Sequence, residues 1–277
     1  MSICSLNGQF LDLKEAKISP LDRGFLFGDA IYEVIASYNN KPFKIEEHLD
    51  RLFINLKNIK ISHNLSRQEM KNLIQSVIEK NDLSNQIIYL QISRGYEEVR
   101  DHIPSSTSNP TIFVCSFPLK NISNKEFSSL KVSLKEDFRW RKSNIKSTSL
   151  LANVMYRIQA SEKDFFEIIL HENDYITEGA VSNVFCVKDN EVRTPSLENN
   201  ILPGITRAVI INILNKLGIK IIESKISVNE FLNSDEIWIT NTTKGILLVS
   251  EVDEMKVSNS SDLYKKVLKK FIEETLV

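Results

Sequence analysis

At about 150 residues per domain, 277 residues make one large or two modest domains. Hydrophobic residues at 42% and charged residues at 26% suit a folded globular chain and exclude disordered, collagen-like and coiled-coil classes. The 35 Lys and Arg against 36 Asp and Glu leave a net charge of −1, so no basic excess is available for nucleic acid. No apolar run nears the ~20 residues of a membrane span. The opening MSICSLNGQFLDLKE lacks a basic stretch followed by a long apolar one, so no signal peptide is expected. Cys4, Cys115 and Cys186 are odd in number, far apart and without a CxxC, which reads as reduced thiols in a cytoplasmic protein. Glycine is scarce, with eight in the chain, and is expected where backbone geometry demands it.

In chain order, Asn7-Gly8 signals a two-residue hairpin. AIYEVIASY alternates as a strand should, and Asn39-Asn40 turns it back into KPFKIE. A helix is expected from about His48 to Ile59. A second begins at Ser66, with Glu69 completing a capping box and Met70, Leu73, Ile74, Val77 and Ile78 as its apolar stripe. QIIYLQIS and TIFVCSF are short strands. PLKNISNKEFSSL then breaks the pattern, so residues 1–118 are expected as a smaller α+β domain, 119–124 as a linker and 125–277 as a larger α+β domain. That second part reads as a strand near KVSLKED, an apolar helix carrying Leu150, Leu151, Val154, Met155 and Ile158, and strands FFEIILH and NVFCVKD. The helix ITRAVIINILNKL follows, with Gly218 at its end. After it come strands IKIIESK, EIWITN and GILLVSEV, and a closing amphipathic helix.

No GxGxxG, GxxxxGK[ST], GxSxG or HExxH segment is present. His48, His63, His102 and His171 are scattered, and no metal site is expected. Four other segments suit an anionic, ring-bearing aldehyde. In PGITR the break at Pro203-Gly204 leaves the N–H groups of Ile205 and Thr206 at a positive helix end, a phosphate site or simply a Thr-capped helix start. Asn241 and Thr242, closing EIWITN, could complete a phosphate shell. Lys146 enters an apolar helix, where desolvation would lower its pKa and free its amine, although most lysines simply reach into water. Glu178, between two apolar strands, could pair with a pyridinium nitrogen or be an ordinary strand-end carboxylate.

The segments RGFLFGDAIYEV, EEHLDRL, NIKSTSLLANV, ITEGAVSNVF, PGITR and ITNTT, in that order along nearly the whole chain, resemble the class IV (fold-type IV) pyridoxal-phosphate aminotransferases. The resemblance implies a small N-terminal and a larger C-terminal α+β domain, with pyridoxal 5′-phosphate between them, in a homodimer. It makes Lys146 the Schiff-base lysine and proton shuttle, and Glu178 the partner of the pyridine nitrogen. Arg51, Ile205 and Thr206, helped by Asn241 and Thr242, would hold the phosphate, and Leu202 would pack against the ring. Tyr32 and Val34 would line the substrate pocket, unless Tyr32 is a core tyrosine.

The loop RGYEEVRDHIP discriminates within the family. Arg100-Asp101-His102 resembles the Arg-x-His pair with which D-amino-acid aminotransferases grip the substrate α-carboxylate from the partner subunit, a task suited to Arg. The alternative is a solvated charged loop. The expected reaction is therefore transamination between a D-amino acid, such as D-alanine, and a 2-oxo acid, such as 2-oxoglutarate. A branched-chain L-amino-acid aminotransferase and an aminodeoxychorismate lyase are the alternatives within the family, and a non-catalytic binding protein lies outside it. Ala180 and Val181 stand where the family often has serine, as does Asn241.

Overall fold

The structure is a computed structural model and describes residues 2–105, 109–120, 130–258 and 263–276. The chain divides into two compact units, one of residues 1–120 with 145–149, the other of 121–144 with 150–277. Sequence reading expects residue 145–149 in a continuous second domain. The structure groups them with the first unit because Ile31 bridges Ser147, Tyr32 N–H donates to Lys146 O at 3.0 Å and Thr148 N–H donates to Ala30 O at 3.0 Å. Of the expected linker 119–124, residues 121–124 lie outside the described residues.

In the first unit, β1 (Ile3–Leu6) and β2 (Gln9–Asp12) are joined by Asn7 and Gly8, both at positive φ as a tight primed hairpin requires. A short helix α1 (Arg23–Phe27) leads into β3 (Ala30–Tyr38), and Asn39-Asn40, again both at positive φ, returns the chain through β4 (Lys41–Pro42). Helices α2 (Ile45–Asn58) and α3 (Arg67–Lys80) follow, then β5 (Asn85–Ser93) and β6 (Thr111–Pro118). The α2 helix starts before the expected His48, from Lys44 in the left-handed region. The antiparallel sheet runs β2-β1-β6-β5-β3-β4. One of its faces buries Ile31, Ile35, Ile88, Leu90 and Ile92 against Leu49, Leu52, Met70, Ile74, Val77 and Ile78 of the two helices. Because side chains alternate along β3, Glu33 shares that buried face, while Tyr32 and Val34 lie on the other, half-buried one.

The second unit opens with β7 (Leu130–Glu136) and α4 (Leu151–Glu162). Strands β8 (Glu167–Glu172), β9 (Tyr175–Gly179), β10 (Asn183–Lys188) and β11 (Glu191–Pro195) follow. Then come α5 (Ile205–Lys216), β12 (Ile221–Ser224), α6 (Val228–Leu232), β13 (Glu236–Asn241), β14 (Gly245–Val252), β15 (Met255–Lys256) and α7 (Leu263–Thr275). Their sheet runs β12-β11-β10-β13-β14-β7-β8-β9, with β15 beside β14. Its parallel pairs are β11–β12, β14–β7 and β7–β8. Helix α7 buries Leu263, Tyr264, Val267 and Phe271, one stripe of an amphipathic helix. Helix α4 departs from expectation: it buries Tyr156 and Ala160, whereas Leu151 is 74% and Ile158 52% exposed, with Val154 and Met155 exposed beside them.

The capping box at Ser66 forms in both directions, its hydroxyl accepting from Glu69 N–H and the Glu69 carboxylate accepting from Ser66 N–H. Ser66→Ala should therefore cost about 1 kcal/mol, read as a lower denaturation midpoint with an unchanged denaturant slope. No change in midpoint would show that the box contributes nothing.

Candidate active site

In the first unit the buried carboxylate of Glu33 meets the sequence-predicted Arg51 and, beside it, His48. Arg51, on the sheet-facing side of α2, donates through Nε to Glu33 Oε1 and through Nη2 to Oε2, both at 2.7 Å. His48 Nδ1 lies 2.8 Å from Oε2. His48 and Arg51 are three residues apart on one helix, so both reach the same carboxylate. Burial alone would push Glu33 up, but Arg51, followed by His48, outweighs it and holds the carboxyl down at about 2. Burial keeps the His48 imidazole below its ordinary value against the pull of Glu33. One residue back along β3, on the opposite face, Tyr32 offers its ring to Lys146, whose Nζ lies 4.3 Å from the ring centroid. The Tyr32 ring stacks on Tyr89 at 5.7 Å, and Val34 pairs with Tyr89 across the strands. Tyr32 is half-buried rather than sunk in the core.

Arg100 and His102 also belong to this unit. The Arg100 guanidinium carbon lies 4.7 Å above the Phe27 ring, and the His102 ring is 5.4 Å from it. The Arg100 and His102 side chains rest on Phe27 of α1, while every residue from Glu98 to Ser105, these two included, is exposed.

In the second unit Glu178, at the end of β9, is 4% exposed. Its Oε1 accepts from Arg139 Nη1 at 2.8 Å, and its Oε2 accepts from Asn183 Nδ2 and from the N–H of Leu202, each at 3.1 Å. Arg139 is itself clamped on Asp137 by Nε and Nη2. Burial pushes the Glu178 carboxyl up to about 7, with Arg139 and the Leu202 N–H resisting. Asn183 also donates to Leu202 O, which fixes the segment leading into α5. Gly204 caps α5 with no side-chain bond, and a Cβ there would overlap Asn183 Oδ1. A glycine there lets the Asn183 amide pack against the start of α5, whose first-turn residues are Ile205 and the buried Thr206. Asn241 Oδ1 accepts from Lys244 N–H at 2.8 Å and from the Thr243 hydroxyl at 3.2 Å, closing the β13–β14 turn that also carries Thr242.

Sequence reading assigns no role to Glu33, His48, Asp137, Arg139 or Asn183. A weak signal existed for two pairs: the i, i+3 spacing in HLDRL and the Asp-x-Arg of DFR. Among the described residues no cluster of three or more His, Cys, Asp or Glu is placed to hold a metal ion. Each unit by itself holds groups of the kinds that a phosphorylated pyridine aldehyde uses: the first an amine beside an aromatic ring, the second a buried carboxylate and a glycine-capped helix N-terminus.

A family model described as amino-transferase class IV matches residues 30–252. The chain belongs to the class IV aminotransferases. It is 31% identical over 274 residues to the D-alanine aminotransferase of Listeria monocytogenes serotype 4b, covering 97% of this chain and 94% of that one. It is 32% identical over 255 residues to the D-alanine aminotransferase of Bacillus licheniformis, covering 92% and 90%. Among solved structures it resembles the Escherichia coli branched-chain amino acid aminotransferase, with TM-score 0.90, 25% identity and coverage of 98% and 93%. The α+β, fold-type IV architecture expected from the six segments is thus the family's.

The position of Glu178 makes a pH prediction. A carboxyl raised from 4.5 to about 7 in the folded state binds a proton that the unfolded chain has released across that window. Stability of the cofactor-free protein therefore falls as pH rises through it. Glu178→Gln is neutral throughout, so its denaturant midpoint should decline less than the parent's over the same range. Parallel declines would refute the burial argument.

Proposed function

We propose that this class IV aminotransferase exchanges amino groups between a D-amino acid and a 2-oxo acid, with D-alanine and 2-oxoglutarate as the representative pair. The observation that carries this reading is the Arg100-Asp101-His102 loop, whose two cationic-capable side chains lie together on Phe27. A paired Arg and His suits a carboxylate, and Arg can grip it with two hydrogen bonds. The D-alanine aminotransferases similar over most of the chain support the same choice. A branched-chain L-amino-acid enzyme is the second reading, favoured by the likeness to the Escherichia coli structure.

Pyridoxal 5′-phosphate, when bound, supplies an aldehyde and an electron-withdrawing ring. Lys146 Nζ would hold that aldehyde and serve as the base that moves the proton of the substrate Cα. Tyr32 sits against Nζ and would orient it, while Val34, on the same strand face, would border the substrate side chain. Glu178 would pair with the ring nitrogen through a carboxylate that Arg139, Asn183 and the Leu202 N–H keep in place. A carboxylate poised near neutrality changes protonation readily, and a cationic ring nitrogen beside it favours the ionised form. Arg51, oriented by Glu33, would hold the phosphate, as would the N–H groups of Ile205 and Thr206, with Asn241 and Thr242 completing its surroundings. Leu202 would pack on the ring and exclude water.

The apolar stripe Leu151, Val154, Met155 and Ile158 repeats at i, i+3, i+4 and i+7 on the exposed side of α4. An exposed apolar stripe of this kind supports a homodimer that covers it, in which Arg100 and His102 would serve the neighbouring protomer's substrate. The three cysteines are all buried free thiols, which supports a cytoplasmic setting.

The decisive experiment is the half-reaction. D-alanine or D-glutamate should discharge the holoenzyme's colour, L-leucine should not, and Lys146→Ala should be inert toward all three. Discharge by L-leucine or L-valine alone would establish the branched-chain reading instead. Ile158→Glu should halve the mass seen by light scattering, to the 31.8 kDa of one chain. An unchanged mass would exclude this stripe from the interface.

A further inference from the structure

The RGFLFGD segment stands out in the sequence, yet the reaction described above gives its arginine no task. Arg23 is 4% exposed, and nearly every edge of its guanidinium is in use. Nε donates to Asp29 Oδ2 at 3.0 Å, and Nη1 to Glu97 Oε2 at 3.0 Å and Asp101 O at 2.6 Å. Nη2 donates to His102 O at 3.0 Å. The fork therefore reads two successive backbone carbonyls, those of the second and third residues of Arg100-Asp101-His102. Its carbon also lies 4.8 Å from the centroid of Phe27, the ring against which Arg100 and His102 both rest.

The root of the loop, from Ser93 to Tyr96, has anchors other than this guanidinium. Arg94 grips Asp29 with Nε and Nη2, and Arg23 N–H donates to Gly95 O at 2.8 Å. Asp22 bridges Tyr96 and accepts from the hydroxyls of Ser93 and Thr111. Glu97 Oε1 in turn accepts from Ser105 N–H. The loop's root is thus tied through backbone and through Asp22, whereas its functional tip is tied through Arg23.

The loop tip is exposed, yet a buried guanidinium holds two of its successive carbonyls. We propose that Arg23 is the positioning residue of the α-carboxylate grip: its fork fixes the peptides at Asp101 and His102, and so the spacing of the Arg100 and His102 side chains over Phe27. This rests on the reading of Arg100 and His102 as that grip. Binding a carboxylate then requires no ordering of the loop, which is the advantage of preorganisation. Lysine cannot substitute, because a single ammonium cannot span two carbonyls and two carboxylates in one plane.

The test compares three variants of the holoenzyme with D-alanine as substrate. Arg23→Lys should raise KM for D-alanine about tenfold with kcat within about threefold, while the cofactor half-saturation stays unchanged. Phe27→Leu, which keeps apolar volume but removes the shared ring, should raise KM about threefold, and it decides the matter should Arg23→Lys not fold. Arg100→Ala serves as the reference and should raise KM at least as much as Arg23→Lys. If Arg100→Ala raises KM while Arg23→Lys and Phe27→Leu do not, the positioning role is overturned and the grip stands. If Arg100→Ala leaves KM unaltered, the grip itself is wrong and the positioning role falls with it. A loss of kcat and cofactor affinity in Arg23→Lys without a separate rise in KM would mark a merely structural residue and overturn the proposal.

Discussion

A carboxylate inside a sheet carries a desolvation cost that its partners must offset or its protonation relieve, and Glu33 is the point on which the first unit turns. Its desolvation cost is offset by a bidentate arginine and an imidazole, all delivered by one helix. Removing one partner from such a pair costs on the order of 3–5 kcal/mol, far more than the pair itself contributes over an apolar replacement. The arrangement is therefore better understood as geometry than as stability. It fixes where α2 lies against β3, and with it the orientation of Arg51. Because β3 alternates, locking Glu33 inward also turns Tyr32 outward toward Lys146.

The second unit solves the same problem differently. Glu178 has one arginine on one oxygen and two neutral donors on the other, so burial wins and the carboxyl rises to about 7. Glu33, with two basic partners, falls to about 2. Two buried glutamates about five pH units apart are thereby suited to different work. The one that stays ionised is structural, and the one near neutrality is the one whose charge a cationic ligand can change.

Much of the architecture was legible because it rests on local chemistry. Asn7-Gly8, Asn39-Asn40 and the Ser66 capping box depend on a few adjacent residues, and each forms as read. The family was legible from six ordered segments. What escaped depends on contacts distant in sequence. Glu33 reads as one more residue of an alternating strand until Arg51 is seen opposite it, and Arg139 reads as one charge among several in FRWRK. The tight turns at Asn173-Asp174 and Asp189-Asn190 were overlooked by searching for glycine. Among the described residues, ten of the twelve non-glycine positions at positive φ are Asn or Asp, which tolerate that region. The stripe of α4 shows the opposite failure: periodicity marks an apolar face correctly but does not say that the chain's own core will cover it.

Arginine rather than lysine does the organising throughout. Arg23, Arg51, Arg94 and Arg139 each present two or more N–H groups to fixed acceptors, and each meets a carboxylate through them. A planar fork transmits orientation, whereas an ammonium on a flexible stem transmits only charge. Lys146, proposed above as the Schiff-base lysine, is of the second kind, and its Nζ lies 4.3 Å from the centroid of the Tyr32 ring.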